Sequence, residues 1–118
     1  MIYVKDLASL AAFYGDVLEV APVVETRSAT FVEFDTGGAT LALHAIPAHT
    51  ADQIEISSPP QAREEMPIKL MFEVADVAAE RVRLEAMGAT VIQRPWGTCD
   101  VTDPEGNIFQ LYSKPTEK

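Results

Sequence analysis

The sequence predicts an α+β fold of two tandem βαβββ modules that form a curved mixed sheet around a cavity. Val4–Ala8 (VKDLA) returns 70 positions later as Val74–Ala78 (VADVA). Phe34–His44 resembles Thr102–Tyr112, 68 positions later, and both segments alternate as strands do. A repeated unit that cannot close its own sheet must pair with its copy. The cavity between the copies is where a ligand is expected.

In the first module, Met1–Val4 is short and apolar, which is typical of a strand. Asp6 is expected to cap the next helix, because its carboxylate can accept hydrogen bonds from the free N–H groups of the first turn. Apolar residues recur at helical spacing over Leu7–Leu18, which predicts that helix. Three strands and one glycine turn follow, at Val23–Arg27, Thr30–Phe34, Asp35–Gly38 and Thr40–His44.

The second module repeats this order after a proline-rich segment. We assign residues 1–46 to the first module, 47–67 to a linker with a short strand at Gln53–Ile56, and 68–113 to the second module. Asp76 caps the second helix, and Gly88 ends it. The predicted helix and strands of this module are Ile68–Val74, Val77–Met87, Thr90–Gln93, Thr98–Thr102 and Asn107–Tyr112.

Composition excludes several function classes. With 118 residues, of which 47% are hydrophobic and 23% charged, the chain is expected to be one domain, 1–118. Its net charge of −9 repels polyanions, so we expect no nucleic-acid partner. No apolar run approaches the roughly 20 residues of a membrane helix, and no secretory signal is visible, so we expect a cytoplasmic protein without a membrane partner. The single Cys99 is expected to be a buried apolar residue.

Two segments resemble the vicinal oxygen chelate superfamily, which contains glyoxalase I, fosfomycin-resistance enzymes, extradiol dioxygenases and bleomycin-resistance proteins. The first is the opening helix, with its Asp6-Leu7, Phe13-Tyr14 and Val17-Leu18 pairs. The second runs from Pro95-Trp96-Gly97 through Asp103–Asn107 to Leu111. The resemblance covers Val4 to Tyr112 and implies the fold given above. It leaves the activity open, since the superfamily spans lyases, oxygenases, transferases and binders.

The resemblance also implies where a metal would be held. In metal-dependent members the ligands lie on the first and last strands of each copy. Three of these positions correspond to Ala42, Lys69 and Gln110, and the fourth falls before Met1, where a longer natural chain could supply it. Alanine has no donor atom, lysine is cationic, and a glutamine carbonyl is a weak ligand. We therefore expect no metal and no cofactor, as in the metal-free bleomycin-resistance-like branch.

Strand alternation predicts the side chains that line the cavity. The ligand-binding set is Tyr3, His44, Lys69, Met71, Glu73, Trp96, Asp100, Gln110 and Tyr112. His44 could be a general base, a ligand contact, a weak metal ligand or a hydrogen-bonded residue at the rim. Lys69 and Glu73 could bind charged ligand groups or pair with each other. Trp96 could stack on a planar ligand, fill the core or lie in a dimer contact.

The first functional hypothesis is a small-molecule-binding protein of the glyoxalase/bleomycin-resistance type without the usual metal site. The alternative is a lyase, isomerase or dioxygenase-like enzyme of the same fold, using His44 or a relocated metal, with His44 and Glu73 as candidate catalytic residues. A third hypothesis is an interaction module with a vestigial cavity. The resemblance also predicts a homodimer, with the modules paired side by side or exchanged between chains.

Overall fold

The protein was analysed as a computed structural model that describes residues 1–114. The chain divides into two compact units, Met1–Ser57 and a second unit that begins at Ser58. Each unit contains a mixed sheet and a long helix, which confirms the α+β prediction. No helix within the described residues is long and apolar enough to cross a membrane.

The first unit contains a three-stranded sheet, here called sheet one. Its elements are β1 (Ile2–Val4), α1 (Leu7–Leu18), β2 (Phe31–Asp35), β3 (Thr40–Ala45) and the short α2 (Ala48–Ala51). The strand order is β1-β3-β2, with β1 parallel and β2 antiparallel to β3. As predicted, Asp6 caps α1, because its Oδ1 accepts a hydrogen bond from the Ser9 backbone N–H at 3.1 Å.

The strand predicted at Val23–Arg27 is absent, so the prediction was wrong and the first module is βαββ. The segment turns at Val24–Thr26 and touches the free edge of β2 at two points. The Val23 N–H donates to the Glu33 carbonyl, and the Ser28 N–H donates to the Phe31 carbonyl, both at 2.9 Å. Between these points the chain leaves the edge, since the Thr26 hydroxyl bonds the Glu33 side chain at 2.8 Å. A side-chain bond of this kind competes with ladder pairing.

The second unit contains a four-stranded sheet, here called sheet two, and has the predicted βαβββ order. Its elements are β4 (Leu70–Glu73), α3 (Val77–Ala86), β5 (Thr90–Gln93), β6 (Cys99–Thr102) and β7 (Ile108–Tyr112). The strand order β4-β7-β6-β5 matches β1-β3-β2 with one strand added at the edge. Asp76 caps α3 through the Ala79 N–H at 3.2 Å, as predicted. The first strand is shorter than the predicted Ile68–Val74 and leaves Lys69 just before its start.

Residues 47–67, predicted to be a linker, divide between the two units: 47–57 belong to the first and 58–67 to the second. The strand predicted at Gln53–Ile56 is absent, because the backbone there continues the α2 turn: the Ile54 N–H donates to the Ala51 carbonyl at 3.0 Å. The Lys5 ammonium also donates to the Ile54 carbonyl. Farther along, the Arg63 N–H donates to the Gly106 carbonyl at 2.9 Å. Residues 61–63 therefore lie along the turn that joins β6 to β7.

The predicted alternation of core and non-core residues is confirmed on the last strands of both sheets. The core positions Leu41, Leu43, Phe109 and Leu111 are all buried, with at most 7% of each exposed. Cys99 and Val101 of β6 are also completely buried, as expected. In each sheet, the side chains at the alternate positions of the last strand therefore lie on the face opposite the core. The candidate functional groups lie on these two faces.

Candidate functional site

An aromatic row crosses sheet one, on the face opposite its core residues. Tyr3 and Phe31 are both cross-strand partners of His44, from β1 and β2. The Tyr3 and His44 rings are tilted by 44° with centroids 5.4 Å apart, and Phe31 meets His44 edge-on at 6.3 Å. Tyr3 remains 59% exposed. We call this surface, defined by Tyr3, Phe31 and His44, the aromatic face of sheet one.

The hydrogen bonding of His44 orients its imidazole ring. Its Nδ1 lies 2.8 Å from the carbonyl oxygen of Ala45. A carbonyl can only accept, so Nδ1 carries a proton in this contact, and in the neutral ring Nε2 is then the acceptor. His44 also borders a groove of about 610 Å³, lined in part by Lys5, Thr30 and Asp52. His44 is thus hydrogen-bonded, as one of the interpretations predicted, and also borders a groove.

An ionic cluster lies on the corresponding face of sheet two. Lys69 Nζ lies 3.1 Å from Asp100 Oδ2. Arg94 donates to the same oxygen from Nε at 2.8 Å and from Nη2 at 2.7 Å. This hydrogen bond raises the pKa of Arg94 above its ordinary value, so the guanidinium stays charged. Glu64, 59% exposed, approaches Arg94 at 3.6 Å. We call the surface around Lys69, Arg94 and Asp100 the polar face of sheet two.

Asp100 is the most buried member of the cluster, with 1% of its side chain exposed. Its Oδ2 takes all the contacts from Lys69 and Arg94. Its Oδ1 is buried and accepts no hydrogen bond from any described group. A buried carboxylate oxygen without a donor is unfavourable, because it has lost water without gaining a replacement. The same carboxylate, together with burial, raises the pKa of the neighbouring Cys99 thiol, with burial the larger cause.

The strand register places two other predicted residues, Met71 and Gln110, beside this cluster. Gln110 pairs with both Met71 and Asp100, so all three side chains share one face. Gln110 donates from Nε2 to the Thr98 hydroxyl at 2.8 Å, and Met71 is 55% exposed.

The remaining predicted residues lie farther out. Glu73 pairs across the strands with Tyr112, and its carboxylate lies 3.7 Å from the Lys114 ammonium rather than near Lys69. Trp96 is 67% exposed on the turn between β5 and β6, so it does not fill the core.

The residues at the metal positions implied by the resemblance do not fit a metal ion. Ala42 offers no donor atom. Lys69 is bound to Asp100, and Gln110 offers only its amide oxygen, a weak metal ligand, while its Nε2 donates to Thr98. In the part of the chain that the structure describes, no group of three or more His, Cys, Asp or Glu side chains is arranged to hold a metal. No chemical step in this protein is therefore assigned to a metal at these positions.

Sequence reasoning missed three participants: Phe31, Glu64 and Arg94. Phe31 was predicted to be in a strand, and alternation with Glu33 would have placed it on the His44 face. Arg94 directly follows β5 and precedes the Pro95–Gly97 break, so its direction depended on the local turn, in which its N–H donates to the Thr98 carbonyl at 2.9 Å. Glu64 lies in the predicted linker, and no pattern in the sequence marked it.

Comparison with known proteins agrees with this architecture. A family profile described as a glyoxalase-like domain matches residues 1–112. No curated protein matches the chain. Similar solved structures include a glyoxalase/bleomycin resistance protein/dioxygenase family enzyme from Burkholderia phytofirmans PsJN, which is 26% identical with a TM-score of 0.74 over 95% of this chain and 93% of that one.

Two further solved structures are similar. A glyoxalase-related enzyme from Fulvimarina pelagi is 25% identical, with a TM-score of 0.65 over 97% of this chain and 86% of that one. A mutant of the fosfomycin resistance protein FosX from Listeria monocytogenes, complexed with Mn(II) and 1S,2S-dihydroxypropylphosphonic acid, is 16% identical. Its TM-score is 0.70 over 97% of this chain and 88% of that one, a likeness in fold alone.

Proposed function

Since the chain belongs to the glyoxalase-like domain family, we propose that it is a small-molecule-binding protein of the glyoxalase/bleomycin-resistance type that works without the family's usual metal site. The finer assignment to the metal-free bleomycin-resistance-like branch is part of the proposal. It is supported by Ala42, which has no donor atom, by the engagement of Lys69 with Asp100, and by Gln110, whose amide oxygen is a weak metal ligand.

One observation carries the proposal: large apolar side chains are exposed at or beside the predicted ligand-contact faces. Tyr3 is 59% exposed, Met71 55% and Trp96 67%. Each would be stabilised by burial against a ligand, at about 25 cal/mol per Å² of apolar surface covered. The aromatic rings also suit stacking on a flat compound. A partly planar ligand with at least one polar group is therefore the expected class.

Trp96 makes the proposal testable, because it is the only tryptophan in the sequence. We expect planar aromatic compounds with an acidic or basic substituent to change its fluorescence and to raise the melting temperature in a dose-dependent way. Met71→Ala should weaken the binding of the best compound several-fold. Val82→Ala is the matched control, because Val82 is a similarly exposed apolar residue (61%) on helix α3. A broad screen with neither a fluorescence change nor a thermal shift would refute the proposal.

A second candidate function is acid–base catalysis by His44, and the Nδ1 contact with Ala45 favours it. In the neutral ring that contact leaves Nε2 as the acceptor, which could take a proton from a compound in the groove that His44 borders. If the chain is an enzyme of this kind, His44→Ala should abolish turnover of a bound compound while its affinity stays within a few-fold. Unchanged turnover in this variant would leave binding as the function.

The proposal includes a homodimer, which the resemblance predicts. Light scattering after gel filtration should then give a mass near twice the 12.9 kDa of one chain. A mass of one chain at micromolar concentration would refute the homodimer without affecting the proposed binding function.

A further inference from the structure

We propose that the polar face of sheet two binds a small organic acid with a hydroxyl group next to its carboxylate. In this site, Asp100 accepts the hydroxyl hydrogen, and Lys69 and Arg94 hold the carboxylate. The inference rests on the small-molecule-binding function proposed above and names the ligand class.

The need for a donor comes from Asp100. Its carboxylate is almost wholly buried, and its two oxygens differ in their contacts. Oδ2 has three short contacts with nitrogen atoms of Lys69 and Arg94, whereas Oδ1 accepts no hydrogen bond from the described residues. Each carboxylate oxygen can accept two hydrogen bonds. A ligand hydroxyl or N–H group that reached Oδ1 would therefore supply a hydrogen bond that none of the described residues supplies.

The two cations, Lys69 and Arg94, favour a ligand that carries a carboxylate. Lys69 has three N–H bonds, and one of them is directed at Asp100. The Lys69 and Arg94 side chains are 43% and 26% exposed, so both can reach a ligand from the surface. Two cations therefore face one buried carboxylate. The second carboxylate, Glu64, is mostly exposed and 3.6 Å away, so solvent screens it. This local excess of positive charge contrasts with the net charge of −9 of the chain.

Together these needs select the ligand class. A simple anion would satisfy Lys69 and Arg94 but would leave Oδ1 without a donor. A simple cation would reach Oδ1 but would be repelled by both basic side chains. A 2-hydroxy acid provides the donor and the anion on adjacent atoms. Its apolar remainder would cover Met71, which shares the row of Asp100 and is 55% exposed. The flexible, exposed Lys69 chain can shift to admit it.

The test compares two acids that differ by one hydroxyl group, mandelate and phenylacetate, by calorimetric titration and Trp96 fluorescence. Mandelate should bind the wild-type protein about tenfold more tightly, as expected for one hydrogen bond to a charged group. Equal affinities would overturn the inference and leave the binding function intact. Binding of other planar compounds but of neither acid would have the same meaning. Failure of every compound would refute both proposals.

Variants test whether Asp100 is responsible for the preference for mandelate over phenylacetate. In Asp100→Asn, the amide oxygen should turn to Lys69 and Arg94, which puts an N–H group where Oδ1 was. The mandelate hydroxyl could then only accept from this neutral N–H group instead of donating to a charged oxygen. The preference for mandelate should therefore fall below about threefold, while phenylacetate binds as well as before or better. Glu85→Gln is the matched control, because it removes the same charge from the exposed side of α3. A full preference in Asp100→Asn would refute the site.

A variant at an exposed position guards against misfolding of Asp100→Asn. Lys69→Met changes a half-exposed side chain and should weaken both acids about fivefold or more while keeping the far-ultraviolet circular dichroism of the wild type. Unchanged affinity for both acids in a folded Lys69→Met protein would also contradict the inference.

Discussion

The two sheets place different chemistry at equivalent positions. On sheet one, the row through His44 is aromatic, with Tyr3 on β1 and Phe31 on β2. On sheet two, the matching row pairs Tyr112 with Glu73. The first row favours stacking on a flat surface, whereas the second exposes a carboxylate paired with a surface lysine.

The next row differs more strongly. Ala42 pairs with Glu33 on sheet one, and Gln110 pairs with Asp100 on sheet two. Glu33 bonds a loop hydroxyl, while Asp100 is buried beneath two cations. Charge recognition is therefore expected from sheet two and aromatic contact from sheet one. The repeated backbone holds the position of each row, and the side chains alone set its chemistry.

The helices of the two units also differ, in the number of side chains that they bury. Helix α1 buries Leu10, Ala11, Tyr14 and Val17, whereas α3 buries Leu84 alone among its residues. The rest of α3 is charged or partly exposed, with an Arg83–Glu80 pair at 2.7 Å on its surface. The two side chains are 28% and 24% exposed, and pairs at this helical spacing contribute only a few tenths of a kcal/mol, roughly, to stability. The attachment of α3 to its sheet therefore depends mainly on one side chain.

The largest effect is expected from Leu84→Ala. Truncating a fully buried leucine should cost about 2–5 kcal/mol, and α3 should lose hydrogen-exchange protection before β6 and β7 do. Val82→Ala on the same helix is the control and should cost less than about 0.5 kcal/mol. In α1, Val17→Ala should leave helix protection intact, because three other buried residues remain. Equal loss of protection in both helices would contradict this difference.

The equivalent turns of the two units give a second comparison. Gly106 has φ +86°, and an added Cβ would lie 2.4 Å from the Gln61 carbonyl oxygen. Gly37 has φ +97° with nothing within 4 Å. Gly37→Ala should therefore cost only the conformational strain, about 1–2 kcal/mol. Gly106→Ala should cost about 3 kcal/mol, because residues 61–63 must also move. Similar unfolding midpoints in urea for the two variants would show that those residues yield easily.

The sequence predicted most of the fold because its signals were local. An aspartate before an apolar helix and a glycine after it act within one turn, and strand alternation acts within one strand. The strand predicted at Val23–Arg27 does not form because other hydrogen bonds compete with pairing along the edge of β2. The Thr26 hydroxyl bonds the Glu33 side chain, and the backbone makes no continuous ladder there. The strand predicted at Gln53–Ile56 does not form because the N–H groups of Gln53 and Ile54 donate to carbonyls of the short helix α2.

The site was predicted residue by residue but not as a cluster. Alternation placed Lys69 and Asp100 on one face, and only the strand register brings them to 3.1 Å. The pair weighed from sequence, Lys69 with Glu73, does not form: Lys69 precedes β4 and bonds Asp100, whereas Glu73 ends the strand and approaches Lys114. Residues four apart along extended backbone lie well separated, while cross-strand neighbours lie close. Arg94 was missed because a turn residue has no periodicity to direct it.

The smallest effect concerns Cys99, whose counterpart on sheet one is Val32; both are core residues opposite a leucine of the last strand. Below pH 8, Cys99→Val should change the free energy of unfolding by less than about 1.5 kcal/mol, since the volumes are similar. Burial raises the pKa of the thiol in the folded state. The protonated thiol therefore stabilises the fold below its unfolded pKa of roughly 8.5, and this contribution is lost as the pH rises towards the folded pKa.

Urea denaturation of wild type and Cys99→Val at about pH 7.5 and about pH 10, below and above the unfolded thiol pKa of roughly 8.5, isolates this effect. Groups common to both proteins cancel in the difference. The wild type should lose stability relative to the valine variant at the higher pH, because the unfolded chain releases the thiol proton that the folded chain retains. A difference that is constant with pH, or that moves the other way, would mean that the thiol of Cys99 ionises at least as readily in the sheet as in water, unlike a group at a truly apolar position such as that of Val32.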